Sequence, residues 1–565
     1  MRIAFFIAVF AAATTKAQNR FDVLIHEIMA DPNPAVGLPA VEWIELRNHS
    51  TTAVNLQGWK LGDAGSLSGA FPSFTLSPDS FVIVCSAGSL SALSVFGPAI
   101  AVSSFPSLDN DGDVLWLRAA NGKTMHAVAY QATWYRNDLK KEGGWTLEMM
   151  DARNPCEGGA NWLASTATAG GTPGRANSVM RFNADTKSPS LLHAYPADSL
   201  NVMLVFDESL DSASAANAAR YSMDRGVTVV SAYPVAPLFD RVRLRLNAPM
   251  PVSVVYNIRV AAISDCAGNG IGEADVRAGM PSTAARADCV VNEILFNPRP
   301  NGFDFVELYN SGNKVLDISK LHIANRSAGG SVASIRPLSG TPFLFFPGDY
   351  LAFTEDPVNL ELHYLVKERR RVLQVLSMPS FPDDEGDVVV LNAQGEVIDE
   401  VPYRDDWHFK LIHDAEGVSL ERLNPREASY DAHNWHSAAS TAGYATPGYK
   451  NSQQAGSGNG NRMIQIAPTV FSPDNDGRDD FAVIRYELNE PGYVANVTVF
   501  SLAGIPVRRL VSNSILGISG SWNWDGLNDR GEEVLPGPYI VFTQIFNLNG
   551  KREVFKLTVV VARTM

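Results

Sequence analysis

Val23-Leu24-Ile25-His26-Glu27-Ile28-Met29-Ala30-Asp31-Pro32, followed by Val41-Glu42-Trp43-Ile44-Glu45-Leu46-Arg47-Asn48, has a second copy further along the chain. That copy reads Cys289-Val290-Val291-Asn292-Glu293-Ile294-Leu295-Phe296-Asn297-Pro298, then Phe303-Asp304-Phe305-Val306-Glu307-Leu308-Tyr309-Asn310. Each is an apolar strand, a turn containing Pro, and a second strand that closes on Glu-Leu-x-Asn. The glutamates are 18 residues apart in the first copy (27 to 45) and 14 in the second (293 to 307). A surface loop between paired strands tolerates that difference.

The two copies stay in step downstream. Phe105-Pro106-Ser107-Leu108 and Gly112-Asp113-Val114 answer Met378-Pro379-Ser380-Phe381 and Gly386-Asp387-Val388. Asn161-Trp162 answers Asn434-Trp435, and Thr172-Pro173-Gly174 answers Thr446-Pro447-Gly448. From Gly112 to Gly174 the offset holds at 273–274 residues. A repeat of this length is a duplicated domain, not a solenoid unit.

On these residues the pair resembles two lamin-tail domains, an immunoglobulin-like sandwich of nuclear lamins that also occurs in secreted bacterial proteins. The signals are Asn-Glu-Ile (His-Glu-Ile in the first copy), the Glu-Leu-x-Asn strand, Gly-Asp-Val before an apolar strand, and the closing Thr-Pro-Gly. They cover roughly half of the chain. The resemblance implies a binding or scaffolding domain and brings no catalytic residues with it.

A chain of 565 residues holds three to five domains. Hydrophobic content of 45% with 19% charged residues fits ordered globular domains. The 44 glycines and 33 prolines suit the many turns of an all-β architecture. A net charge of −14 argues against a nucleic-acid partner, which calls for a basic face. Met1-Arg2, the apolar run Ile3 to Ala13 and the small–x–small site Thr15-Lys16-Ala17 read as a signal peptide over 1–17. That run is too short to span a membrane, and no later stretch is long and apolar enough.

Export would place the four cysteines in an oxidising space. They allow three connectivities. Pairing within a domain or across one junction favours Cys85–Cys156 and Cys266–Cys289.

Taken in order, residues 20–178 form the first repeat, with strand alternation in Val114-Leu115-Trp116-Leu117. Residues 179–287 carry a different pattern. Val242-Arg243-Leu244-Arg245-Leu246 alternates as a half-exposed strand does. With its close Asp265-Cys266-Ala267-Gly268-Asn269, this segment resembles the small bacterial immunoglobulin-like spacer domains. The second repeat covers 288–452. A Gly/Ser/Asn-rich linker follows at 453–462, which predicts a swinging final domain. That domain, 463–565, contains Trp524-Asp525-Gly526, Gly531 and Pro536-Gly537-Pro538-Tyr539. It resembles the C-terminal immunoglobulin-like modules of gliding-motility-associated proteins and of the flagellar hook-cap protein. In Bacteroidota such modules close proteins exported by the type IX secretion machinery, which implies export by that route.

No convincing catalytic set emerges. His26-Glu27-Ile28-Met29-Ala30 begins like a zinc-binding His-Glu-x-x-His helix, but Ala30 ends the match and the flanks read as strand. Glu42/Glu45 and Asp304/Glu307 are three residues apart on strands. They therefore point to opposite faces and do not converge, which leaves them as solvent-facing or turn-capping acids. Calcium is the more plausible chemistry. In Asp474-Asn475-Asp476-Gly477-Arg478-Asp479-Asp480, side-chain oxygens cluster about a glycine, with Asp474, Asp476 and Asp480 as candidate ligands. The competing account is a polar hairpin whose acids cap their own backbone. Asp109–Asp113 and Asp383–Asp387 are weaker versions at equivalent turns. Trp134-Tyr135 and Trp407 occupy equivalent loops and are candidate sugar-stacking aromatics, against the alternative that they pack beneath the loop. Trp162 and Trp435 are assigned to the core.

The expectation is an all-β protein of tandem immunoglobulin-like sandwiches, non-catalytic, secreted or at the cell surface, acting as an adhesin-like scaffold. Its partner would be an extracellular protein or polysaccharide. The alternative is a carbohydrate- or polymer-binding accessory protein, using Trp134 and Trp407.

Overall fold

A computed structural model of the chain describes residues 18–412, 414–454 and 463–562. The expected signal peptide at 1–17 and the linker residues 455–462 lie outside them. The described residues are dominated by strands, and the helices are short, at most seven residues (Pro357–His363). The chain divides into two compact units, Met1–Pro249 with Tyr256–Ala278, and Met250–Val255 with Gly279–Met565.

In the first unit, residues 20–178 form two facing sheets. The larger has the order Trp162–Ala164, Leu147–Met149, Val23–Met29, Trp43–Asn48, Phe81–Ser86, Ala99–Val102. Its outermost pair is parallel. The smaller sheet pairs Lys60–Gly62, Gly112–Arg118 and Thr124–Gln131. Val23, Ile25, Leu46, Trp59, Leu115 and Leu117 fill the space between. The second repeat reproduces the arrangement: Trp435–Ser437, Leu420–Arg422, Val290–Leu295, Phe305–Tyr309, Tyr350–Thr354, Val372–Gln374, again with a parallel outermost pair. The spacer packs a four-stranded sheet on a three-stranded one, and the C-terminal module a three-stranded sheet on a five-stranded one. The spacer's Arg241–Leu246 strand is exposed and buried at alternate residues, as its sequence predicts.

Gly112 shows how the turn into the smaller sheet constrains composition. Its φ is +146°, and a Cβ there would meet the carbonyl oxygen of Tyr130 at 2.6 Å. The Asp-Asn-Asp-Gly-Asp turn is thus set by backbone approach. The Tyr130 hydroxyl, donating to the Asp109 carbonyl, holds it.

The cysteine pairing differs from expectation. Cys156 is bonded to Cys266, with a Cα–Cα distance of 6.2 Å, while Cys85 and Cys289 are free and buried. Cys85 stands opposite Trp43 in the large sheet and packs with Met29 and Leu93, so its side chain points into the fold and away from the Cys156 loop. Cys289 lies in the core of the second repeat. The loop that carries Cys156 instead faces the Asp265–Asn269 turn of the spacer, and the bond ties the first repeat to the spacer.

The C-terminal module does not swing free of the second repeat. Gln453 Nε2 donates to the Leu516 carbonyl (3.1 Å) and to that of Ser437 (3.0 Å), and the Ile518 amide donates to the Ser452 carbonyl (2.8 Å). The hydroxyls of Thr441 and Tyr486 are 2.8 Å apart. Phe409, Val494 and Ile515 form a shared apolar cluster. The composition of a linker reports on the linker alone. It is silent about the surfaces on either side.

Two thiols are expected to react with a thiol reagent only after denaturation, and four after reduction as well, which thiol titration checks. Replacing Cys156 and Cys266 together by Ser is expected to destabilise the first unit by about 2–4 kcal/mol, because the bond closes a long loop. Differential scanning calorimetry with and without reductant checks the stability change.

Candidate functional sites: buried carboxylate clasps and an acidic loop

The conspicuous chemistry of each repeat is a row of three buried glutamates. In the first, Glu27 pairs across strands with Glu45 on one side and Glu148 on the other. In the second, Glu293 is flanked by Glu307 and Glu421 in the same way. All six are fully buried. The expectation that Glu45 and Glu307 face solvent is therefore corrected. Convergence here runs across neighbouring strands, not along one, so spacing within a strand does not bear on it. Of the other two acids, Glu42 accepts from the Leu108 amide at 3.3 Å, and burial pushes the Asp304 carboxyl up to about 7. A register shift follows Ile25 in one copy and Val291 in the other, so His26 and Asn292 sit at bulges. The bulge breaks strict alternation, and every residue of Val23–Met29 and Val290–Leu295 is buried.

The closing Thr-Pro-Gly segments are built onto these rows. The Thr172 amide donates to Glu27 Oε1 at 2.7 Å, and the Gly174 amide donates to Glu45 Oε2. Thr172 Oγ1 lies 3.3 Å from Glu27 Oε2 and 2.9 Å from Glu148 Oε1. Ser178 Oγ and the Val179 amide donate to Glu148 Oε2. The second copy repeats this. The Thr446 amide donates to Glu293 (2.8 Å) and the Gly448 amide to Glu307 (2.6 Å). Thr446 Oγ1 is 2.8 Å from Glu293 Oε2 and 2.9 Å from Glu421 Oε1. Ser452 Oγ and the Gln453 amide donate to Glu421 Oε2.

One threonine hydroxyl has one proton, yet faces two carboxylate oxygens in each clasp. A protonated carboxyl donating to the hydroxyl would satisfy both contacts at once. Electrostatics agree. Burial, then the neighbouring carboxylate (Glu148 or Glu421), pushes Glu27 and Glu293 up to about 8. Burial, then Glu27 or Glu293, holds Glu45 and Glu307 well above the carboxylate range. Burial also raises Glu421.

A second trio lies in the first unit, where the first repeat meets the spacer. Carboxylate oxygens of Asp185, Glu208 and Asp265 lie within 4.8 Å of one another. Burial pushes Glu208 up to about 8, followed by the charge of Asp185. No spacing in the sequence announces this trio, because its members come from three separate turns.

The loop singled out for calcium does bring Asp474, Asp476 and Asp480 together, with oxygens within 4.8 Å of one another. The same oxygens also bind the loop's own amides. Asp480 accepts from Asn475 (2.7 Å) and Gly477 (2.9 Å), and Asp476 accepts from Arg478 (2.7 Å). The account of a polar hairpin whose acids cap their own backbone is thus realised.

The loop aromatics are less available than a sugar platform requires. Tyr135 is buried, its hydroxyl donating to the Trp145 carbonyl (3.1 Å). Trp134 and Trp407 are partly buried, with ring centroids 6.4 and 6.3 Å from the core rings of Trp162 and Trp435.

The family model of the Lamin Tail Domain matches residues 16–132 and 282–405. Each match takes in the first two glutamates of a clasp and stops short of the third and of the Thr-Pro-Gly segment. No curated protein matches the chain. Among solved structures, the N-terminal part of the bacterial S-layer protein SbsC is 15% identical with a TM-score of 0.17, covering 31% of this chain and 42% of its own. A DUF4876 family protein from Bacteroides thetaiotaomicron is 12% identical with a TM-score of 0.18, covering 36% and 83%. A tetra-tandem repeat from the extending region of a large adhesion protein is 8% identical with a TM-score of 0.13, covering 96% and 99%. At these scores none of the three bears on what this chain does.

The clasps set a sign for stability against pH. Glu27 and Glu293 titrate higher folded than unfolded, so their contribution is complete below about 4.5 and lost as pH rises through about 8. His26 (about 3) and His126 and His408 (about 4) are lowered by burial, so their contribution is complete above about 6.5 and lost on acidification. Between pH 6.5 and 8 the histidines are silent and the raised carboxyls act with one sign, Glu27 and Glu293 together with Asp304 and Glu208. Unfolding free energy should fall there by on the order of 1–2 kcal/mol per glutamate. Glu27→Gln should flatten the first repeat's share. Thr446→Val should destabilise the second repeat by about 2–3 kcal/mol. Chemical denaturation at stepped pH measures all three, and stability that rises from pH 6.5 to 8 would exclude protonated clasps.

Proposed function

We propose that this chain, with its two lamin-tail-domain regions, is a non-catalytic scaffold acting outside the cytoplasm, secreted or at the cell surface. Its C-terminal module serves export, by the type IX route, or anchoring. The supporting observation is the use each repeat makes of its carboxylates. They are sealed from solvent and bonded to the closing segment, where they hold the sandwich together. A hydrolase needs such groups open to substrate and one of them free to exchange its proton.

The partner is an extracellular protein or polysaccharide. A carbohydrate-binding accessory role draws on Trp134 and Trp407, and the partial burial of both rings beside a core tryptophan weighs against it. A glycan array separates the two.

Location is tested by fractionating the native host with an antibody, comparing the full chain with one truncated after Asn461. Loss of the surface or medium signal on truncation supports a sorting role. Full-length protein retained in the cytoplasm sinks the proposal. Calcium at Asp474, Asp476 and Asp480 is proposed alongside. It should raise the thermal midpoint of the C-terminal module and give binding heat in titration calorimetry, and Asp476→Asn with Asp480→Asn should abolish both. A titration without heat or shift would discard calcium.

A further inference from the structure

The duplication lets one repeat serve as a template for the other. In the first unit, the first repeat receives the spacer at a groove between the Thr124–Gln131 strand and the loop 154–161. Arg20 is the peg. Its guanidinium donates to the Leu210 carbonyl (3.0 Å) and to Ser209 Oγ (2.7 Å), and lies over the rings of Phe21 (4.5 Å) and Phe239 (4.1 Å). The spacer side is acidic: Asp207, Glu208 and Asp240 line what remains of the groove, a cleft of about 210 Å³. The Cys156–Cys266 bond closes it.

The second repeat carries the same groove. Arg286 stands seven residues before Glu293, as Arg20 stands seven before Glu27. Ser429 and Tyr430 take the places of Cys156 and Glu157 at the 273-residue offset. Arg286, Arg426, Ser429 and Tyr430 line a groove of about 780 Å³ whose walls come wholly from residues 286–430. Arg286 and Arg426 are exposed, and Tyr430 is 70% exposed. Two acids on the wall are already paired, Asp399 with Arg422 (3.1 Å) and Glu400 with Arg326. Arg286 and Arg426 then give the rim a basic character, against Glu427.

We propose that this second groove receives a second copy of the chain, entered by the acidic loop Asp474–Asp480 of that copy's C-terminal module. Two observations select this occupant. The partner in the template groove is an immunoglobulin-like domain whose acids Asp207, Glu208 and Asp240 line the cleft beside Arg20. The C-terminal module is the chain's other such domain, and Asp474, Asp476 and Asp479 are exposed on it. The contact is heterologous, so its repetition builds open chains or, where the rotation closes, rings. Calcium held by the loop cancels part of its charge and weakens the contact. The proposal deepens the scaffold reading, but it is tested on purified protein, so it stands or falls independently of where the protein resides.

The test is sedimentation velocity of the full chain over a wide concentration range, at low and physiological salt, with chelator. The expected result is concentration-dependent species larger than a monomer that dissociate as salt rises. Arg286→Glu with Arg426→Glu should weaken association about tenfold or more. Asp474→Lys with Asp476→Lys should do the same. Mixing the two charge-reversed proteins should restore association, a result that misfolding cannot produce. A monomer at every concentration, or association unchanged by the arginine reversals, overturns the proposal. So does failure of the mixture to associate when each variant keeps the parent's thermal midpoint.

Discussion

The hydrogen bonds from the closing Thr-Pro-Gly segment to a buried glutamate row are what the rest of each repeat depends on. Thr172 reaches Glu27 across 145 residues of chain, and Thr446 reaches Glu293 across 153. Three strands contribute the glutamates, and the closing segment joins them, so the beginning, middle and end of each domain meet in one network. A buried carboxyl must be neutral, paired or well hydrogen-bonded. Backbone amides and hydroxyls of the closing segment supply those hydrogen bonds. Burial, followed by the neighbouring carboxylate, raises Glu27 and Glu293, which favours a neutral carboxyl in each clasp.

The two copies satisfy one geometry with different chemistry. At the bulge, the Ile25 amide donates to His126 Nδ1 (3.0 Å), and the equivalent Val291 amide donates to Asp399 Oδ2 (2.8 Å). His126 can accept there only while that nitrogen is unprotonated, in keeping with burial pushing it down to about 4. Asp399 lies opposite Arg422, whose charge offsets part of the upward push of burial on that carboxyl, and Arg422 is itself buried and also donates to the Val291 carbonyl (2.6 Å). Where the second repeat has Arg422, the first has Met149. The exchange of a neutral His–Met arrangement for an Asp–Arg pair is coupled, since either half alone would strand a buried charge. Asn292 likewise donates to Glu307 (2.8 Å), whereas His26 lies 3.7 Å from Glu45 without a hydrogen bond. The first clasp is the less satisfied of the two.

Each repeat is also fastened to an immunoglobulin-like neighbour, by different means. The first uses a disulfide and an arginine between two phenylalanines. The second uses Gln453, Ser452 and a small apolar cluster with the C-terminal module. In the second unit the fastening grows out of the clasp itself, because Gln453 and Ser452 bind Glu421 through one group and the module through another.

The sequence by itself determined the duplication, the all-β sandwich class and the acidic loop. Those rest on local periodicity, turn residues and repeated order, which neighbouring residues carry in the chain. It also exposed Glu27, Glu45 and Thr172-Pro173-Gly174 as repeated signals without showing that they touch. Only the tertiary structure decided what those residues do. Strand register placed Glu148 and Glu421 beside them, a bulge turned His26 and Asn292 inward, and the fold brought Cys156 to Cys266 while burying Cys85 and Cys289 in separate cores. Register and burial depend on contacts between residues far apart in the chain, and spacing along a single strand carries no record of them.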